Sequence, residues 1–118
     1  MPRYLSLIRI DESAIGGRVP TDKLMERMGR LIEETKATGV LLETAGLRST
    51  AEGTRVHWRK GAATVTDGPF TESKEVVGGY AILRASNKLE AIEWTKRFLG
   101  VHEDEFELTC EVREIEEG

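Results

Sequence analysis

The order of its apolar segments constrains this chain most. Tyr4 to Ile10 is a short apolar run holding Ile8 and Ile10, and its length predicts a strand. Gly16, Gly17 and Pro20 make Asp11 to Pro20 a loop. Thr21 or Asp22 offers the side-chain oxygen that caps a helix, in which Leu24, Met28, Leu31, Ile32 and Thr35 recur on one face. Gly39 follows as its stop, because glycine enters the left-handed region without penalty. Val40 to Thr44 predicts the next strand. Thr54 to Lys60 and Ala62 to Thr66 predict a hairpin turning around Gly61, and Val76 to Arg84 a further strand. Asn87 caps a second helix, with Ala91, Ile92, Thr95, Phe98 and Leu99 on one face and Gly100 at its end. Phe106 to Ile115 alternates. Phe106, Leu108, Cys110 and Val112 point one way, and Glu107, Thr109, Glu111 and Arg113 the other.

With the hairpin set aside, the order is βαβ followed by βαβ. This is the ferredoxin-like βαββαβ pattern, an α+β fold with both helices on one face of an antiparallel sheet and the hairpin inserted between the second and third core strands. Leu5 and Leu7 oppose Tyr4 and Ile8 across the first strand, and Ala81 and Leu83 oppose Tyr80 and Ile82 across another. Two helices cover one face only. The second apolar face predicts a homodimer whose sheets pack against each other. At 118 residues the chain predicts a single domain over residues 1–118.

The net charge of −4 argues against a nucleic-acid partner, since neutralising phosphates needs a basic surface. One cysteine, Cys110, leaves no internal disulfide and no Cys-rich zinc site. No apolar run approaches the roughly 20 residues that span a bilayer, and Met1 to Leu5 lacks a secretory cleavage pattern. The expectation is a cytoplasmic protein without membrane contact. Metal, flavin, haem and nucleotide have no supporting motif, so no cofactor or metal site is expected.

Asp67-Gly68-Pro69-Phe70 is the most distinctive stretch. Asp67 can accept hydrogen bonds from the backbone beyond it and make a turn, Gly68 supplies backbone freedom, Pro69 restricts its neighbour and Phe70 anchors the loop. It reads either as a rigid rim over a ligand cleft, with Asp67 presenting a carboxylate, or as a turn between strands. Gly78 and Gly79 mark a bulge or a close approach by ligand or backbone, which would bring Tyr80 to a bound molecule. Arg9 is a charge in an apolar strand and suits an organic anion, or an interface ion pair. His57 alternates with Arg55 and Arg59, so like charge would favour its neutral form as a base; the plain alternative is an exposed hairpin face. His102 precedes Glu103, Asp104 and Glu105, a spacing that reads as a solvated acidic loop. Cys110 alternates with core positions and reads as a buried thiol. The candidate catalytic residues are therefore Asp67, Tyr80 and His57, acting by acid–base chemistry on a small organic acid. The candidate ligand-binding residues are Arg9, Gly68, Phe70, Gly78 and Gly79.

The run Val65-Thr66-Asp67-Gly68-Pro69-Phe70-Thr71-Glu72-Ser73-Lys74-Glu75, followed by Gly78-Gly79-Tyr80, resembles the signature of the DGPF-type branch of the YCII-related family. Leu89 to Trp94 is similar to that family's second helix, and Glu111 to Ile115 to its closing strand. The resemblance covers the chain well from about Val40 onward and more loosely before it. It implies a ferredoxin-like subunit forming a dimeric α+β barrel. Some relatives carry a His–Asp pair as an active site, and one type is a lyase that removes chloride from a muconate-like acid. The family's histidine lies at the start of the first helix. Here Arg18-Val19-Pro20-Thr21-Asp22-Lys23 contains none, so the pair is not carried over. Other DGPF-type members are encoded beside extracytoplasmic-function sigma factors. That implies the alternative of a non-enzymatic regulatory module with a sigma factor as partner.

Overall fold

The computed structural model describes residues 1–117. Strand β1 runs over Arg3–Ile10, and the chain then makes a one-turn helix, α1 (Glu12–Ile15). Helix α2 (Asp22–Ala37) leads to β2 (Leu41–Gly46). A short 3-10 turn at Thr50–Glu52 precedes β3 (Thr54–Arg59) and β4 (Ala62–Asp67). Strand β5 (Val76–Arg84), helix α3 (Lys88–Gly100) and strand β6 (Thr109–Glu114) complete it. No helix among the described residues is long and apolar enough to cross a membrane.

The helices start where short polar side chains stand. Thr21 accepts from the Leu24 N–H and Asn87 from the Glu90 N–H, each satisfying a first-turn donor that has no partner within its helix. Gly39, at φ 81°, takes the left-handed conformation that stops α2.

Four strands form an antiparallel sheet in the order β2-β5-β1-β6. This α+β arrangement is compatible with the ferredoxin-like pattern. The period of two along β1 puts Tyr4, Ser6 and Ile8 on one face. Ser6 and Ile8, with Leu41, Ala81 and Leu83, border one interior cavity with Leu31, Ile32 and Thr35 of α2 and Trp94, Thr95 and Phe98 of α3. Tyr4, Leu41, Leu83, Ala85 and Ala91 are the buried centre. Leu5, Leu7, Tyr80 and Ile82 occupy the opposite face and are half-buried. The molecule is 19 Å along its thinnest axis, the depth of one sheet and one layer of helices.

The hairpin departs from this layer. Strands β3 and β4 pair only with each other, and every residue in them is exposed. Lys60 (φ 51°) and Gly61 (φ 77°) make a two-residue turn with both central residues left-handed, the geometry that matches strand twist. The radius of gyration, 16.0 Å, exceeds the about 13.5 Å of a compact chain this long. The arm accounts for much of the excess.

Two expectations change. Asp11 to Pro20 is not all loop, because the Asp11 carboxylate caps α1 through the Ser13 and Ala14 N–H groups. The last strand begins at Thr109, not Phe106. The chain leaves α3 through successive turns at His102 to Glu105 and meets β1 only where Thr109 pairs with Arg9. Phe106 instead lies against the Arg18 guanidinium, 5.0 Å from its ring.

Candidate functional site

The Asp67-Gly68-Pro69-Phe70 stretch forms the foot of the arm. Asp67 ends β4, and its Oδ1 accepts from the Thr54 hydroxyl at 3.1 Å. The turn bond expected of Asp67 fails at the second residue on, because Pro69 has no N–H to give. Gly68 donates to the Gly53 carbonyl at 2.8 Å, adding a rung below the arm. A Cβ on Gly68 would overlap the Thr50 carbonyl, so only glycine fits. The Phe70 ring lies beneath the Arg55 guanidinium, 3.9 Å from its centroid. Arg55 also binds the Glu72 carboxylate and donates to the Ser73 hydroxyl at 2.8 Å. The backbone N–H of Glu72 and then Arg55 hold that carboxyl below its ordinary range. From the other side, Glu12 of α1 accepts from the Thr50 N–H at 2.9 Å and from its hydroxyl.

Tyr80 and Arg9 lie on the open sheet face. Tyr80 pairs in register with Leu7 and donates its hydroxyl to Glu43. That bond, then desolvation, raises the Tyr80 pKa. Gly78 is the extra residue of a bulge, since Ile8 pairs with Gly79 and Arg9 with Val77. The space above both glycines belongs to isoleucine side chains of β1. A Cβ on Gly78 would stand 2.7 Å from Ile10 Cδ1, and one on Gly79 3.2 Å from Ile8 Cδ1. His57 is exposed midway along β3. The structure thus brings Asp67, Gly68 and Phe70 together at the foot of the arm and Arg9 and Tyr80 onto one sheet face. His57 joins neither group.

A polar groove opens at the C-terminal end of β1. Its main part, about 420 Å³, is lined by Arg9, Asp11, Ala14, Ile15, Arg18, Lys74, Glu75, Glu107 and Thr109. A neighbouring cleft of about 360 Å³ shares Asp11 and Lys74 and continues along Ser13, Thr50, Pro69, Phe70, Thr71 and Ser73. Arg9 reaches Glu111 through Nη1 at 3.4 Å. Its Nε is buried and has no hydrogen-bond partner among the described residues. A buried donor without an acceptor costs free energy, and this N–H gains one only when the Arg9 side chain turns it toward the groove. The Asp11 carboxyl is held below its ordinary range, first by the Ser13 hydroxyl and then by the Ala14 N–H, so it stands ionised at neutral pH. Arg9 was legible in the sequence as a charge set in an apolar strand, and here it pairs with Glu111. Arg18, Lys74, Asp11 and Glu107 were not, because charges on separate loops carry no periodic signal.

The remaining reactive groups lie outside the groove. Cys110 faces Ser6 and Ile8 from β6; burial pushes its thiol up, and the Ser6 hydroxyl offsets part of that. His102 points Nδ1 at the Phe98 and Leu99 carbonyls, at 3.1 and 3.2 Å. Both partners are acceptors, so Nδ1 carries the proton and closes the end of α3.

A search of curated proteins finds no match. The family model of the YCII-related domain matches residues 2–115, which spans nearly the whole fold described above. The chain belongs to the YCII-related family.

Proposed function

We propose that this protein is a cytoplasmic member of the family's DGPF type that works as a homodimer, its open sheet faces packed into a dimeric α+β barrel. In this reading each copy binds a small organic acid in the groove beside Arg9. The observation that carries it is the buried, unpartnered Nε of Arg9 at a groove that also holds Arg18 and Lys74. A carboxylate only accepts hydrogen bonds, and a guanidinium edge offers it two parallel donors. Asp11, Glu75 and Glu107 line the same groove, so they repel any anion that does not place its charge beside Arg9.

Tyr80 shares the sheet face with Arg9, and its raised pKa keeps the hydroxyl protonated at neutral pH. It too lines neither part of the groove within one copy, so this reading retains it as an acid–base candidate only across the packed sheet faces of the dimer. Asp67 and His57 line neither part of the groove, and the reading gives them no role within one copy.

The test is calorimetric titration with acetate, malonate, succinate and maleate. Arg9→Gln is expected to weaken the tightest of these at least tenfold while leaving the melting temperature within a degree or two, at about 1.4 kcal/mol per tenfold. Equal binding by Arg9→Gln, or no binding by the parent protein, sinks the reading. A monomer at micromolar concentration in sedimentation sinks the dimer.

The alternative, a regulatory module docked on an extracytoplasmic-function sigma factor, requires an exposed apolar patch beyond the dimer interface. Val56, Trp58 and Val65 form one. A stoichiometric complex with a purified sigma factor, together with no carboxylate binding, would favour it.

A further inference from the structure

The groove at the end of β1 holds both signs of charge in equal number. Three cations, Arg9, Arg18 and Lys74, line it together with three anions, Asp11, Glu75 and Glu107. They come from separate places: β1 and the turns around α1, the loop before β5, and the segment before β6. Brought together, they do not pair with one another. Arg9 turns to Glu111, which is outside the lining. Arg18, Lys74, Glu75 and Glu107 make no ion pair among the described residues. Arg18 gives Nε to the Ile15 carbonyl at 3.2 Å, which leaves the rest of its guanidinium without a carboxylate. Asp11 takes its bonds from Ser13 and Ala14 on Oδ1. The Ser13 hydroxyl does most to hold that carboxyl below its ordinary range, and Lys74 adds to it from the same lining.

We propose that the groove takes a small zwitterion, a molecule with a carboxylate at one end and an ammonium at the other. The proposal rests on the organic-acid reading above and narrows its ligand class. The lining charges sum to zero, so a dianion loses to the three acids what it gains from the three bases. A zwitterion meets both sets favourably. Its carboxylate only accepts, from arginine or lysine, and its ammonium offers three donors to carboxylates. The groove, about 420 Å³, is of the size that takes small molecules, roughly 300–1,000 Å³.

Glu75 and Glu107 point to the ammonium. Toward any simple anion they act only as repulsion. Within the chain neither pairs with a cation, so their charge does nothing for the fold that a glutamine would not do.

Calorimetric titration of the full chain with three molecules of one length tests this. 4-Aminobutyrate ends in an ammonium, pentanoate in a methyl and glutarate in a second carboxylate. The parent protein is expected to bind 4-aminobutyrate at least tenfold more tightly than either. A variant carrying Glu75→Gln and Glu107→Gln is expected to bind 4-aminobutyrate at least fivefold more weakly and glutarate more tightly. Glu33→Gln removes the same charge from the exposed side of α2 and is expected to change neither affinity by more than twofold. Should the double variant fail to fold by circular dichroism, Glu107→Gln alone is expected to shift both affinities in the same directions. Asp11 stays unaltered because it caps α1. Glutarate or pentanoate bound as tightly as 4-aminobutyrate, with all three weakened by Arg9→Gln, overturns the zwitterion and leaves the organic-acid reading standing. A preference for 4-aminobutyrate that survives the glutamine substitutions overturns the role of these two carboxylates. No binding of any of the three molecules overturns both readings.

Discussion

The guanidinium of Arg55 stacks on the ring of Phe70 at 3.9 Å, and this pair joins the projecting arm to the body. Phe70 comes from the loop after β4 and Arg55 from β3, so the contact closes the foot of the arm across its two strands. Phe70→Ala is expected to speed amide exchange through residues 54–67 at least tenfold. It should cost about 1–2 kcal/mol of global stability, since the ring is only half-buried. Hydrogen exchange read by mass spectrometry, beside urea unfolding, checks both. Unchanged exchange in the arm would show that Phe70 does not hold it.

Gly68 and Gly29 separate a glycine that the fold requires from one that it tolerates. A Cβ on Gly68 overlaps the Thr50 carbonyl, which the 3-10 turn holds in place. Gly68→Ala is expected to destabilise by about 2–4 kcal/mol. Gly29 lies within α2 with open space around it, and Gly29→Ala should stabilise by about 0.5–1 kcal/mol. Thermal unfolding of the two variants is expected to move in opposite directions.

Asp11 links stability to pH. Its carboxyl is depressed below 3.8 in the folded state by Ser13 and Ala14. A depressed carboxyl contributes stability above its unfolded pKa and loses it as pH falls through the folded value. The stability difference between the parent protein and Asp11→Ala should therefore be constant from pH 7 to pH 5 and shrink below about pH 4. Unfolding measured across that range, with a difference that grows toward acid, would contradict the capping role.

Cys110 should react slowly. Burial raises its thiol above 9.0, and only the thiolate attacks. At pH 8 a disulfide reagent is expected to label the folded protein at least tenfold more slowly than the urea-unfolded chain. Ser6→Ala removes the hydrogen bond that lowers this pKa, so it should slow labelling further. Labelling at the unfolded rate would place the thiol in solvent.

Sequence and structure agree most where short-range physics decides. Thr21 and Asn87 cap their helices, Gly39 stops α2 and the arm turns at Lys60 and Gly61, because each choice depends on a few neighbouring residues. The candidate site was less legible. Asp67 is bonded to Thr54 across the arm, a partner that only strand register supplies. Gly78 and Gly79 mark the expected bulge, yet Ile8 and Ile10 fill the room above them.

By itself the sequence determined the alternation in β1, β5 and β6, the ends of α2 and α3, and the sheet's two apolar faces. The reason is local: side-chain period and capping act within a few residues. Only the tertiary structure decided which face the helices cover, that the arm stands clear of the sheet, and that Arg9, Arg18, Lys74 and Glu107 border one groove. Those outcomes depend on pairing β1 with β6 and on docking loops far apart in the chain. No local period encodes that long-range closure.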